Sequence, residues 1–585
     1  MTHHPQKTRV AYFSMEIAID ADIPTYSGGL GVLAGDILRS AADMEVPMAA
    51  LTLVHHNGYF RQKLDPKGNQ LEEPEPWSPH QCAEAMEPRT SVVIEGRTVR
   101  LRGWRYWIRG ISGYAIPVYL LDSALPENSP WDQTLTNDLY GGDAYYRLCQ
   151  EVILGMGGAK MLEALGYTGI TSYHMNEGHA ALLAVGLLER DLGEGNLHCA
   201  TEGDIEKVRR HCVFTTHTPV AAGHDQFPRD LVRRVLGEER SSILDVTHCC
   251  PEQVLNMTFL ALRFSHYING VAMHHGEVSR GMFPQYPIRA ITNGVHAISW
   301  TAPSFQKLFD QHVPEWRYDN LYLRYAIGIP LEEVRSAHLA AKRRLFQEIS
   351  RRRGIQLNES VLTIGFARRS ATYKRADLLF SDLERLRRIA RQVGPLQVVY
   401  AGKAHPHDEG GKSLIRHVYQ AASALNSDGI KVLYLENYEL ALARLMTSGV
   451  DLWLNTPQRP QEASGTSGMK AALNGIPSLS VLDGWWIEGC LEGVTGWAIG
   501  QDKDIPRDPS EESASLYQKL ESAIVPMYYG RPSSYAEVMR SAISVNGSFF
   551  NTHRMLDQYV NNAYFPPEHP AGASAIPRDA TGSAE

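Results

Sequence analysis

Strand–helix alternation in both halves of a 585-residue chain predicts an α/β protein built from two Rossmann-like domains that face a common cleft. Three observations carry this expectation. The chain is too long for a single core at about 150 residues per domain. Its composition, 43% hydrophobic and 21% charged, is that of an ordinary globular protein. The second half runs through five successive strand–helix units.

In the first half, an apolar run from Val10 to Met15 reads as a buried strand. Pro24, Ser27, Gly28 and Gly29 mark a turn, followed by a helix from Val32 to Met44 and a strand from Pro47 to Val54. Further strands fall near Val118 to Leu121, Ile170 to Met175 and Val213 to Thr216, and a helix starts at Ala180. In the second half, strand Val361 to Phe366 precedes helix Ala376 to Arg391, and Leu396 to Ala401 precedes Ser413 to Leu425. Lys431 to Leu435 precedes Glu439 to Thr447, and Asp451 to Asn455 precedes a Gly/Ser-rich turn and helix Gly468 to Leu473. Ser478 to Leu482 follows as a further strand. Residues 296–355 are helical and charged, and Lys503 to Glu512 reads as a linker. The expected domains are 1–294, 295–510 and a helical 511–567, with a disordered tail at 568–585 that has almost no large apolar side chains. Ligands of such sheets sit outside the carboxyl ends of the strands, which puts the site in the interdomain cleft.

Several function classes are excluded at this level. With 57 Lys+Arg against 65 Asp+Glu the net charge is −8, without the basic footprint of a nucleic-acid binder. No apolar run reaches the ~20 residues of a membrane helix, and MTHHPQKTRV lacks the apolar core of a signal peptide. The seven cysteines include no C-x-x-C pair, and Cys249 and Cys250 are adjacent, so a reducing, cytoplasmic setting is expected. No His, Cys and carboxylate cluster is spaced as a metal site, and none is expected.

Three loops carry chemistry. Gly29, Gly31 and Ala34 fit G-x-G-x-x-A, but Val54-His55-His56 replaces the acidic residue a dinucleotide site needs, so the loop is either an anion site at a helix start or a tight packing turn. Arg368, Arg369, Lys374 and Arg375 crowd a loop read as leading into a helix N-terminus, where cations are unfavourable unless an anion binds. The other reading is a solvated basic face. Glu462-Ala-Ser-Gly-Thr-Ser-Gly-Met-Lys470 opens a helix with small residues. A lysine there either acts as an amine of lowered pKa or points to solvent behind a Ser467 N-cap. His217 and His179 end strand-like segments and are either substrate hydrogen-bonders or structural.

Taken together, these loops resemble those of the α-glucan (glycogen/maltodextrin) phosphorylases. The segment ending Met469-Lys470 resembles the family's pyridoxal phosphate lysine segment, and Ser27 to Gly31 with Arg369, Tyr373 and Lys374 resemble its phosphate loops. Tyr12-x-Ser-x-Glu16, Thr292-Asn293-Gly294, Gly402-Lys403-Ala404 and Leu435-Glu-Asn-Tyr438 fit as well, so the similarity covers about residues 9 to 500. The resemblance implies the GT-B glycosyltransferase architecture with pyridoxal 5′-phosphate as cofactor. Lys470 would hold the cofactor covalently. Arg368, Thr466, Ser467, Gly468 and Tyr438 would hold its phosphate, with Trp300 packed beside it. Arg369 and Lys374 would bind the substrate phosphate, with the Gly28 and Gly29 backbone opposite. His217, Asn293, Glu462, Ser464 and Gly465 would hydrogen-bond the glucosyl hydroxyls.

Departures from the commonest family pattern are Arg368 for lysine, Ala371-Thr372 for His-Glu, and Glu439 for arginine. The short bacterial and archaeal branch is nearer. A first strand near residue 9 leaves no room for the long regulatory arm of the animal enzymes, so neither an AMP nor a phosphorylation switch of that kind is expected.

The implied reaction is phosphorolysis of an α-1,4-glucan by inorganic phosphate at the non-reducing end, giving α-D-glucose 1-phosphate with retention. Two phosphates of about −1.5 to −2 each, ~5 Å apart, repel by roughly 10 kcal/mol at an effective dielectric near 20, which Arg368, Arg369 and Lys374 would offset. A glycoside hydrolase would need two flanking carboxylates, and only Glu177 stands beside a candidate histidine. Alternatives are a nucleotide-sugar-dependent glycosyltransferase, which has no need of Lys470, and a non-catalytic glucan-binding relative. Family members are commonly homodimers.

Overall fold

The computed structural model of the chain describes residues 5–220, 223–247, 249, 253–425, 429–500 and 509–566. The expected linker residues before Pro509 and the expected tail lie outside these.

The first half gives strands β1 Val10–Ser14, β2 Met48–Leu53, β3 Arg61–Leu64, β4 Gln70–Glu73, β5 Glu84–Ile94, β6 Arg97–Arg109 and β7 Ala115–Asp122. It continues with β8 Ser172–Asn176, β9 Cys212–Thr215, β10 Gln226–Pro228, β11 Val254–Asn256, β12 Tyr267–Gly270 and β13 Arg289–Ala290. Nine of these form one sheet in the order β13-β12-β9-β8-β1-β2-β7-β6-β5. From β13 to β7 the strands run parallel, and β7, β6 and β5 run antiparallel.

β5 and β6 are absent from the sequence reading. Their burial alternates (β6 is Arg-Thr-Val-Arg-Leu-Arg-Gly-Trp at its start), so they lack the continuous apolar runs of strands covered on both faces. The hairpin β3–β4 reaches across to the other half. Gln62 donates to the Gly402 carbonyl at 2.8 Å and Gln70 to the Ala404 carbonyl at 2.9 Å.

The second half gives β14 Leu362–Ala367, β15 Leu396–Ala401, β16 Ile430–Leu435, β17 Leu452–Asn455, β18 Ser478–Val481 and β19 Gly496–Ile499. All six are parallel, in the order β16-β15-β14-β17-β18-β19. β14, β15, β17, β18 and β19 are buried at every residue, as parallel strands under helices require. The expected doubly wound pattern is therefore present in this half, extended by β19.

Two boundaries change. The helix expected from Ala376 starts at Leu383, capped by Asp382, and short 3-10 turns at Thr372–Lys374 and Leu378–Phe380 precede it. Pro509 to Glu512, read as linker, open the helix Pro509–Lys519, because two acids in its first turn suit a helix N-terminus.

The C-terminal helices divide between the two cores. Tyr517, Ile524, Tyr535 and Ile543 pack with the second sheet, whereas Met555, Leu556, Tyr559 and Tyr564 pack with Val10, Tyr12 and Leu38 of the first. The chain thus returns to its own beginning. Ser40 and Thr552 hydroxyls meet at 2.5 Å, and Tyr559 OH reaches Thr215 and Asn269 of β9 and β12. Among the described residues no helix is long and apolar enough to cross a membrane.

Candidate active site

Strand order reverses once in each sheet's parallel part, between β1 and β8 in the first and between β14 and β17 in the second. Such a reversal splits the flanking loops and opens a crevice at the carboxyl ends. The loops after β1 and β8 and those after β14 and β17 line a single cleft of about 860 Å³. From the first half it receives Glu16, Gly28, Gly29, Tyr140, Glu177, His179, His217 and Asn293. From the rest come Trp300, Arg368, Arg369, Tyr373, Lys374, Tyr438, Glu462, Ser464, Gly465, Thr466, Ser467 and Lys470. Every residue that the resemblance assigns to the site lines this wall except Gly468, whereas Arg375 of the cationic loop turns away to the Thr456 and Pro457 carbonyls and Glu512. At Gly468 a Cβ would meet Trp485 at 2.7 Å, so the glycine lets the helix press against the core.

Lys470 is the fourth residue of the short helix Ser467–Ala472 and is 7% exposed. Its Nζ stands 4.0 Å from the Trp300 ring centroid, and among the described residues no carboxylate pairs with it. Burial pushes its pKa down to about 8, with Asp36 opposing and Arg444 adding to the shift. Burial, rather than the helix terminus expected from sequence, is therefore the chief cause. Thr466, not Ser467, is the N-cap, and the Ser467 hydroxyl accepts from Trp453 Nε1 at 3.1 Å. Trp300 is fixed by its Nε1–H to Asp36 (2.7 Å), and Asn474 donates to the carbonyls of both Trp300 and Lys470.

The cationic loop takes a different form from the one expected. It leads into a short 3-10 turn and not a helix N-terminus, so the dipole of a following helix, expected from sequence, does not bear on its charges. Glu462 does instead. Its Oε2 accepts from Arg368 at 2.6 Å and from Lys374, both of them buried partners. Burial would raise the Glu462 pKa, but the two cations hold it down at about 2. Arg369 remains exposed in the cleft, beside Tyr373, Tyr59 and Glu16. Lys374 Nζ also lies 4.4 Å over the Tyr373 ring.

On the opposite wall, Glu16 takes the N–H groups of Ser27 (2.6 Å) and Gly28 (3.1 Å) and the hydroxyl of Tyr140 (2.9 Å). The Gly28 donor is thus already engaged, and Gly29 opens the helix Gly29–Asp43. Cβ atoms at Gly28 and Gly29 would meet nothing within 4 Å, so both glycines border open space. Glu177, held at φ 71°, clamps the His217 loop by accepting from His217 N (2.7 Å) and Thr218 Oγ1 (3.0 Å). His217 Nε2 meets Asn176 Oδ1 at 2.7 Å, and burial holds its pKa at about 3, so the ring is neutral.

Glu16 and Asp483 carry weight that the sequence reading did not give them. Asp483, after β18, accepts from Glu462 N at 2.9 Å and is raised by burial to about 6. A lone acid just past each strand end was the available signal. One of the three departures gains context: Glu439 caps the helix Leu440–Gly449 and pairs with Arg352 at 3.2 Å.

Buried polar atoms along this wall lack partners, namely Arg368 Nη1, Ser464 Oγ and Asn293 Oδ1. Buried groups of this kind are normally satisfied, so the wall is built for a polar ligand. An unpaired buried amine, an orphan guanidinium N–H and small residues between them fit an aldehyde-bearing phosphate cofactor such as pyridoxal phosphate.

Fold and cleft together define an α/β protein whose two sheets face one polar cleft rich in cations and unsatisfied donors and acceptors. Comparison with known proteins narrows the class. The family Carbohydrate phosphorylase matches residues 225–494. The maltodextrin phosphorylase of Thermococcus litoralis is 38% identical over 607 aligned residues, 96% of this chain and 71% of the relative. The glycogen phosphorylase of Mycobacterium tuberculosis is 35% identical with the same coverage, and that of Aquifex aeolicus is 33% identical over 95% of this chain and 86% of the relative. The chain belongs to the carbohydrate phosphorylase family.

Proposed function

We propose that the chain catalyses reversible phosphorolysis of α-1,4-glucans at the non-reducing end, with retention, in a domain 1–294 closing on a domain 295–510. The observation that carries this reading is the convergence of Arg368, Arg369 and Lys374 with Lys470 and His217 in one cleft. Names of the similar proteins, maltodextrin and glycogen phosphorylase, support the substrate class.

Lys470, Arg368, Thr466, Ser467, Tyr438 and Trp300 would hold pyridoxal 5′-phosphate, with the Gly468 N–H beside them. When bound, that group supplies a second phosphate that shares a proton with the substrate phosphate. Arg369 and Lys374 bind inorganic phosphate and offset its charge as it approaches. The phosphate gives its proton to the glycosidic oxygen, the C1–O4 bond breaks, and C1 bonds to phosphate oxygen. α-D-Glucose 1-phosphate and a glucan one unit shorter result.

His217, being neutral, and Asn293 and Ser464, with unpartnered oxygens, hydrogen-bond sugar hydroxyls. Glu462 serves as their neighbour and as counter-ion to both cations. A closed cleft keeps water from the oxocarbenium-like sugar.

The test uses glycogen or short maltodextrins with inorganic phosphate, following α-glucose 1-phosphate by NMR. A near-ultraviolet pyridoxal chromophore and a borohydride-fixed adduct on Lys470 are expected. Turnover of UDP-glucose with no such adduct would replace this reading with the nucleotide-sugar transferase.

A further inference from the structure

Among the described residues one group of three side chains offers ligand atoms for a metal ion: Asp43, His296 and His553. They stand outside the cleft and come from three separate elements. Asp43 ends the helix Gly29–Asp43, His296 is the N-cap of Ala297–Trp300, and His553 is the second residue of Thr552–Tyr559. The three ligand atoms all lie within 4.8 Å of one another. His296 Nε2 is 2.7 Å from Asp43 Oδ2 and His553 Nε2 is 3.4 Å from the same oxygen. Side-chain exposures are 7%, 8% and 4% for His296, His553 and Asp43, so the group is closed to bulk water.

We propose that Asp43, His296 and His553 bind a structural Zn²⁺ ion that ties the returning C-terminal helix to the first domain. Two imidazoles and a carboxylate are a donor set suited to Zn²⁺, with bonds of about 2.0–2.2 Å and a water at the fourth position. Tetrahedral bonds of that length separate ligand atoms by roughly 3.3–3.5 Å. His553 to Asp43 already has this spacing, and His296 must withdraw by about 0.6 Å.

The surroundings hold the ligands as outer-shell groups do in metal sites. Ile111 N–H donates to Asp43 Oδ1 at 2.9 Å, leaving Oδ2 to face the rings. His296 Nδ1 is held by the turn it caps, with the Ser299 N–H donating to it at 3.3 Å and Ser299 Oγ at 2.7 Å, so Nε2 is the nitrogen presented to Asp43.

The position explains what such an ion would do. The helix ending in Asp43 begins at Gly29, and the helix capped by His296 ends at Trp300, both on the cleft wall. Arg554, next to His553, donates to the Thr292 and Asn293 carbonyls. One ion would therefore brace two walls of the cleft through the ends remote from it, without touching substrate.

The experiment uses the full-length holoenzyme after dialysis against a chelator. Zn²⁺ is titrated in competition with a chromophoric chelator, Co²⁺ spectra are recorded, and thermal midpoints are compared with and without Zn²⁺. One saturable equivalent per chain, tetrahedral-type Co²⁺ bands and a raised midpoint are expected. His553→Gln, which keeps a hydrogen-bonding amide, should bind Zn²⁺ at least about tenfold more weakly and lose the Zn²⁺-dependent shift. Asp43→Asn should do the same and serves should His553→Gln fold poorly. No saturable equivalent in the wild type, or equal binding by wild type and both variants, would overturn the proposal and leave a hydrogen-bonded His–Asp–His latch.

Discussion

Among the described residues, the second half holds two buried carboxylates, Asp451 and Glu462, each shared by two basic side chains, and they differ in what they leave over. Asp451 opens β17 at its amino end. Its Oδ2 takes Lys342 Nζ (2.6 Å) and Thr363 N (2.7 Å), and its Oδ1 meets His338 Nε2 at 2.9 Å. Lys342 also reaches the Val361 carbonyl at 2.9 Å, and Tyr535 OH donates to the Asp451 carbonyl. Glu462, beyond the carboxyl end of the same strand, gathers both cations on Oε2 alone. Along the same cleft wall Arg368 Nη1, Ser464 Oγ and Asn293 Oδ1 are buried without partners. The Asp451 group has both oxygens engaged, leaves His338 Nδ1 as its one buried atom without a partner, and ties a helix to the sheet away from the cleft. The Glu462 group keeps donors and acceptors in reserve in an open cleft. Between these two groups, unspent hydrogen-bonding capacity that faces an open cleft, rather than charge density, separates a site from a strut.

The sharpest test of that distinction is Lys470→Ala, which should bring activity to background and abolish retention of the pyridoxal chromophore while far-UV circular dichroism is unchanged. Retained chromophore would move the cofactor role elsewhere. Next, Asp451→Ala should cost about 3–5 kcal/mol in urea unfolding, because it strands a buried ammonium, with turnover per folded molecule unaltered. Lost activity at full stability would erase the contrast.

Arg369→Ala should act in the opposite sense. We expect kcat/KM for phosphate to fall by roughly 10²-fold, about 2.7 kcal/mol, with stability and bound pyridoxal intact. Kinetics across phosphate concentration decide it.

The smallest effect is in pH. Glu462 has a folded pKa of about 2 against an ordinary 4.5. Its charge therefore adds stability above pH 4.5 that is lost as pH falls towards 2. The stability gap between wild type and Glu462→Gln should be constant above pH 4.5 and close below it, as denaturant midpoints would show. A gap independent of pH would mean that packing, not charge, is what the substitution removes.

Much of this was legible in the chain itself. Continuous apolar runs such as Leu362–Ala367 announce doubly covered strands, and small residues before Lys470 announce a loop that lets a ligand approach. β5 and β6 were not legible, since alternating burial on a mostly polar strand looks like loop. Nor were the partners of Glu462. Its bonds to Arg368 and Lys374 span 94 and 88 residues, and no local pattern encodes such a pairing.

Local order, periodicity and residue type thus settle the α/β plan of two facing sheets and name the reactive amine and the cations, because these act over a few neighbouring residues. Which cation is free for substrate, how far Lys470 is shifted by burial, and that Asp43 meets His296 and His553 across 253 and 510 residues are decided only when the chain closes on itself. Desolvation and ion pairing depend on distance in space, and that distance is set by packing.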